Sequence, residues 1–129
     1  MPVCIAAGGF VVALAIESFT LAWTHSIEKI RWEEDYRVVA GARLELTEAR
    51  IRGTGAGMEP PPGSRLQDGV WHYVPQLAPL ELLRLTHSRF AAGYELCGLD
   101  GCVPLAASAP RARDGDVIEV RACAAEPSK

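Results

Sequence analysis

His25, Ser26 and Glu28, followed closely by Glu33 and Glu34, bring one imidazole, one hydroxyl and three carboxylates into a short stretch of chain. Carboxylate oxygens suit hard cations, so such a cluster at a hairpin tip can bind a cation or receive a basic group from a ligand or partner. The structural alternative is that His25 hydrogen-bonds Ser26 or a backbone carbonyl and fixes the turn. Hydrolytic chemistry fits poorly. Adjacent residues on a strand point to opposite faces, which keeps His25 from serving Ser26 as a base, and the chain has no Gly-x-Ser-x-Gly elbow. His72 and His87 stand alone in the sequence and read as structural or surface residues. No catalytic residue is assigned, and the chain is read as a non-enzyme.

Two further patterns bear on ligands. Gly53-Thr-Gly-Ala-Gly57 exposes backbone amides of the kind that cradle anions. It runs into Pro60-Pro61-Pro62, however, with no Lys-Ser or Lys-Thr after it, so a nucleotide site is not expected. Gly55 and Gly57 are read as shaping a loop beside His25. The four cysteines form two sets. Cys97 and Cys102 flank a tight turn and face each other at a separation that permits a disulfide or two metal ligands. Cys4 and Cys123 fall on the first and last expected strands; if those strands pair, they form a second disulfide or join Cys97 and Cys102 in a four-thiolate zinc site, although no Cys-x-x-Cys knuckle is present.

The elements that must position these groups read as strands. Glycines and prolines punctuate the chain, and the segments between them alternate apolar with polar. Phe19, Leu21, Trp23 and His25 share one face of a strand, with Thr20, Ala22, Thr24 and Ser26 on the other. After a corner at Glu28 and Lys29, Ile30, Trp32, Glu34, Tyr36 and Val38 lie on one face and Arg31, Glu33, Asp35 and Arg37 on the other; the two strands are expected to pair as an antiparallel hairpin. Arg43 to Arg52 forms a third strand with Leu44 and Leu46 inward. Gly53 to Gly63 is a long surface loop, because proline lacks the ladder donor and glycine loses the most entropy. Val70, Trp71 and Tyr73 make a short strand, and Leu80 to Thr86 is a strand or one short helix. Tyr94 to Cys97 and Cys102 to Leu105 flank a Gly98-Leu-Asp-Gly101 turn, and the last strand runs from Val117 to Cys123. Phe19, Trp23, Trp32, Tyr36 and Trp71 are assigned to the core. The expectation is an all-β, mostly antiparallel domain over residues 1–129, a β-sandwich or open barrel with at most one short helix.

Bulk properties narrow the partners. A chain of 129 residues suits one core. Its net charge of -3 and scattered arginines offer no basic stripe, so nucleic acid is not an expected partner. The apolar N-terminal stretch, Met1 to Ile16, has no positive flank and stops short of the roughly 20 residues that cross a bilayer, so neither a signal peptide nor a membrane helix is read there.

Phe19-Thr-Leu-Ala-Trp-Thr-His-Ser-Ile-Glu28, then Trp32-Glu-Glu-Asp-Tyr36, then Gly53-Thr-Gly-Ala-Gly-Met58, occur in the order seen in a bacterial family, domain of unknown function (DUF) 1850, which this chain resembles from about residue 4 to residue 123. Members of that family often lie beside genes for TRAP-type transporters of the TAXI class, and many carry an N-terminal export or membrane segment. The resemblance implies an accessory role at the cell envelope, periplasmic or membrane-associated; without a visible leader, a cytoplasmic location stays open. The expected function is thus a binding or interaction module, without cofactor, that engages transporter components or a small-molecule ligand through His25, Ser26, Glu28, Glu33 and Glu34. The alternatives are a small metal-binding protein using Cys4, Cys97, Cys102 and Cys123, and a structural subunit of a membrane transport complex.

Overall fold

The structure, a computed structural model, describes residues 2–24, 30–52, 62–88 and 93–123. It is a two-layer antiparallel sandwich. The first layer has four strands in the order β2-β1-β11-β8: β1 (Val3–Ala7), β2 (Phe10–Leu14), β8 (Leu83–Thr86) and β11 (Val117–Ala122). The second has seven in the order β10-β9-β3-β4-β5-β7-β6: β3 (Ser18–Thr24), β4 (Arg31–Val39), β5 (Arg43–Arg52), β6 (Arg65–Gln67), β7 (Val70–Tyr73), β9 (Glu95–Gly98) and β10 (Gly101–Pro104). The strands divide into two separate sheets, neither of them closed among the described residues, so of the two expected architectures the sandwich is the one formed.

Alternation builds the interior. Val3, Ile5 and Ala7 from β1 and Ile118, Val120 and Ala122 from β11 meet Phe19, Leu21, Tyr36, Leu44, Leu46 and Leu96 from the larger sheet in one apolar cluster. Phe19 and Tyr36, paired across β3 and β4, stack with ring centroids 5.4 Å apart. Each fully buried aliphatic side chain here is worth about 1.5–3 kcal/mol of transfer free energy.

Strand β5 contains the irregularity on which the rest depends. Asp35 pairs with Glu48 but Tyr36 with Leu46, leaving Thr47 as an extra residue. This bulge moves the inward phase from Leu44 and Leu46 to Ala49 and Ile51, all of which are buried, and turns Glu48, Arg50 and Arg52 outward together. The Thr47 hydroxyl donates to the Asp35 carbonyl across the gap (3.3 Å).

Of the two readings of Leu80 to Thr86, the strand is the one formed: Leu80 bridges Leu44 and β8 follows. The one helical element among the described residues is a 3-10 turn at Leu105–Ser108. Two hairpins were not anticipated: Gly8 and Gly9 (φ 59° and 75°) reverse the chain from β1 into β2, and Asp68 and Gly69 (φ 52° and 77°) join β6 to β7, both with the two left-handed residues that a type I′ turn demands. Among the aromatics assigned to the core, Trp32 and Trp71 are only half-buried and lie outside the main cluster. No helix among the described residues is long and apolar enough to cross a membrane.

Candidate functional site

The larger sheet turns one face to the apolar cluster and the other outward, and strand alternation loads the outer face with charge. Arg31, Glu33 and Asp35 from β4 stand beside Glu48, Arg50 and Arg52 from β5, with Thr20 from β3, Glu95 from β9 and His72 from β7 at the sides. Glu33, 9% exposed, is the centre. Its Oε1 accepts from Nε of both Arg50 and Arg52 and its Oε2 from Nε of Arg31, all at 3.0 Å. Arg50 forks onto Asp35 at 2.6 and 2.7 Å and also donates to Glu48 at 2.9 Å. Thr20 donates to Asp35 (2.6 Å), His72 Nδ1 lies 3.1 Å from Glu48, and Arg31 Nη1 reaches Glu95 at 2.7 Å.

Burial pushes the Glu33 carboxyl up, but the hydrogen bonds from Arg50, Arg31 and Arg52 outweigh it and hold the group below the ordinary carboxylate value. Asp35 behaves alike: burial raises it, and Arg50 and Thr20 bring it down overall. Glu48 is lowered despite burial by His72 and Arg50. Arg50 is raised, chiefly by its bond to Asp35. The result is an ion-pair lattice that clamps β3, β4, β5 and β7 side by side, with its carboxylates already committed to cations.

The inner face differs toward the end where β3 passes to β4. Trp23 of β3, Trp32 of β4, Ile51 of β5, Trp71 of β7 and Leu66 of β6 lie in one register row across five strands. The Trp23 and Trp32 rings are nearly parallel, 7° apart with centroids 6.3 Å apart, and Tyr94 tilts against Trp23 at 5.7 Å. In the next inner row Glu34 sits between Leu21 and Ala49, with Tyr73 beyond. Its Oε1 accepts a hydrogen bond from the Tyr36 hydroxyl at 2.8 Å. Burial raises the Glu34 carboxyl above the ordinary value, only partly offset by that bond. Burial and then the Glu34 charge push the Tyr36 and Tyr73 hydroxyls up in turn.

All four cysteines are in disulfides. Cys4–Cys123 joins β1 to the residue after β11 across 119 positions, and Cys97–Cys102 joins register partners on β9 and β10 across 5. Loop-closure entropy gives the first about 5 kcal/mol of stabilisation and the second about 2 kcal/mol. The sulfurs that a four-thiolate zinc site would need are therefore bonded to one another.

Of the residues expected at the site, His25, Ser26, Glu28, Gly55 and Gly57 lie outside the described residues. Glu33 and Glu34, expected to join one cluster, do not: consecutive residues on a strand face opposite ways, so Glu33 enters the outer lattice and Glu34 the aromatic inner face. Sequence reading missed Arg31, Arg50, Arg52, Thr20, Asp35, Glu48 and His72 as a set. The signal was present in the alternation Arg31-x-Glu33-x-Asp35 and Glu48-x-Arg50-x-Arg52, where opposite charges recur at period two on neighbouring strands.

These features define a two-sheet, disulfide-closed β-sandwich whose larger sheet is charged outside and aromatic inside. Residues 19–105 match the model of the family described as Domain of unknown function (DUF1850), and the chain belongs to that family. Neither a curated protein nor a solved structure matches the chain.

Proposed function

We propose that the protein is a non-enzymatic binding module of an oxidising, extracytoplasmic compartment, accessory to a TRAP-type solute transport system of the TAXI class, and that it receives a basic group at Glu34. The transporter link rests on the family resemblance, and the two disulfides suit an oxidising compartment. The observation that carries the binding reading is Glu34 itself. Among the described residues its carboxyl is hydrogen-bonded by a tyrosine hydroxyl rather than held by an arginine or lysine, and it lies next to a row containing three tryptophans. An ammonium or guanidinium group arriving there would gain a charge partner and aromatic faces at once. The outer lattice supports this reading by contrast, since its carboxylates already have cations.

The test is thermal melting and tryptophan fluorescence of the full chain with methylammonium, putrescine and arginine, against sodium acetate as control. The expected outcome is a melting shift and quenching with the cations that Glu34→Gln removes. If no cation shifts the native protein, or Glu34→Gln responds as the native protein does, the reading fails.

A second reading, the structural subunit of a membrane complex, draws on β2. This edge strand is apolar throughout, with Phe10 40% and Val11 61% exposed, and an unpaired apolar edge is a template for another strand. Val11→Lys would abolish co-purification with membrane components on that reading and leave it intact on the first.

A further inference from the structure

We infer that the Cys97–Cys102 hairpin is a thiol–disulfide exchange site, reduced by a dithiol, in which the Arg31 guanidinium stabilises the departing thiolates. The two disulfides have different settings. Cys4–Cys123 closes nearly the whole chain, and the Cys123 amide donates to the Pro2 carbonyl beside it at 2.9 Å. Cys97–Cys102 staples a hairpin that the β9–β10 ladder already pairs over four positions. It lies at the edge of the larger sheet, where every residue of β10 is exposed. Its opening leaves the order of the other strands in place.

The second observation is the cation. Arg31 reaches across β3 from β4, and its three nitrogens divide their partners: Nε to Glu33, Nη1 to Glu95, and Nη2 to the sulfurs, 3.7 Å from Cys102 Sγ and 3.9 Å from Cys97 Sγ. A neutral disulfide has little need of a guanidinium, whereas a thiolate is strongly favoured by one. A lower leaving-thiol pKa speeds exchange. The carboxylates of Glu95 and Glu33 hold Arg31 in place and draw off part of its charge.

The exchange balances without further reagents. One thiolate of the dithiol attacks the exposed Cys102 Sγ, the S–S bond breaks, and its electron pair leaves on Cys97 Sγ facing Arg31. The second thiol of the reductant, deprotonated to solvent, then attacks its own sulfur in the mixed disulfide and releases Cys102 as a thiolate, again within reach of Nη2. The dithiol is oxidised to a cyclic disulfide by two electrons, the cysteine pair is reduced by two, and the protons lost by the reductant pass through solvent to whichever cysteines protonate. Released thiolates compete with Glu33 and Glu95 for Arg31, which couples the redox state of the hairpin to the charged lattice on the same face.

The experiment titrates the folded full chain with dithiothreitol, traps thiols with iodoacetamide and reads each cysteine by peptide mass spectrometry. The expected result is labelling of Cys97 and Cys102 at reductant concentrations that leave Cys4 and Cys123 unlabelled. Arg31→Met should slow that step about three- to tenfold, with Arg31→Lys in between, while Glu95→Gln, which frees the guanidinium for the sulfurs, should speed it. Opposite signs separate charge from loosening, because a hairpin merely loosened by lost contacts reduces faster in both variants. Arg31→Lys keeps the test decisive where Arg31→Met does not fold, because it too is expected to slow the step whereas loosening alone would speed it. Simultaneous opening of both disulfides, or reduction of Arg31→Met at the native rate or faster, overturns the proposal.

Discussion

The two faces of the seven-stranded sheet treat acidic side chains in opposite ways, and Glu33 and Glu34 set the two treatments side by side. On the outer face, Glu33 is nearly inaccessible yet surrounded by three guanidinium groups, so its charge is favoured and its pKa falls. On the inner face, Glu34 lies in a row with Leu21, Ala49 and Tyr73 and, among the described residues, accepts from one hydroxyl, that of Tyr36, so burial disfavours its charge and its pKa rises. Burial acts on both; the difference is the company each keeps. A charge that is fully compensated holds strands together, and one that is not weighs against the folded state.

The strongest way to break the comparison is to neutralise Glu33. Glu33→Gln leaves Arg50, Arg31 and Arg52 without their shared acceptor charge and is expected to cost about 3 kcal/mol in urea denaturation at neutral pH. Because the folded pKa of Glu33 lies below the ordinary 4.5, its contribution is full above that value and is lost as pH falls through the folded pKa. The gap between native and variant should therefore close in acid. Arg50→Met comes next, at about 2–3 kcal/mol, since it strands Asp35 as well. Combined with Glu33→Gln, the two costs should fall short of their sum by about 1 kcal/mol or more, as groups in one network do.

Glu34 sharpens the contrast by carrying the opposite sign. With its folded pKa above the ordinary 4.5, the folded state holds the proton more tightly than the unfolded chain. Its contribution to stability is thus greatest below that value and is lost as pH rises through the folded pKa. Glu34→Gln should remove this dependence and stabilise the protein by about 1 kcal/mol or less at neutral pH, as a charged group in apolar surroundings is replaced by a neutral one. The smallest effect belongs to Arg37 and Glu45, an exposed pair bonded at 2.6 Å: Arg37→Ala should change the unfolding free energy by less than about 0.5 kcal/mol. A larger loss there would mean that the lattice extends farther along β4 than its geometry indicates.

Period-two alternation made β3, β4 and the first half of β5 legible, including which side chains of β4 share a face. The same rule already separated Glu33 from Glu34, and grouping them as one site set it aside in favour of nearness in sequence. The second half of β5 was harder. Leu44 and Leu46 are even-numbered while Ala49 and Ile51 are odd-numbered, so the buried phase changes at Thr47 and Glu48, and only the bulge reconciles them. Convergence of Arg50 and Arg52 on Glu33 depends on that lateral register, which no single strand encodes. Asp68-Gly69 is a readable turn signal between two short strands, whereas Gly8-Gly9 is obscured by the uniformly apolar residues around it. The cysteine spacing admitted both disulfide and metal; the pairing of Cys4 with Cys123 follows only once β1 and β11 are neighbours.

Cys4–Cys123 also has a mechanical consequence. Since the bond spans 119 positions between two adjacent strands, tension applied through the backbone beyond either cysteine runs across the sulfur bridge and leaves the loop between them unloaded. While the bridge is intact, a pull on the two ends cannot unravel the sandwich. A domain tethered in this way can bear load between an anchor and a partner while its sheets, and whatever they hold, keep their shape.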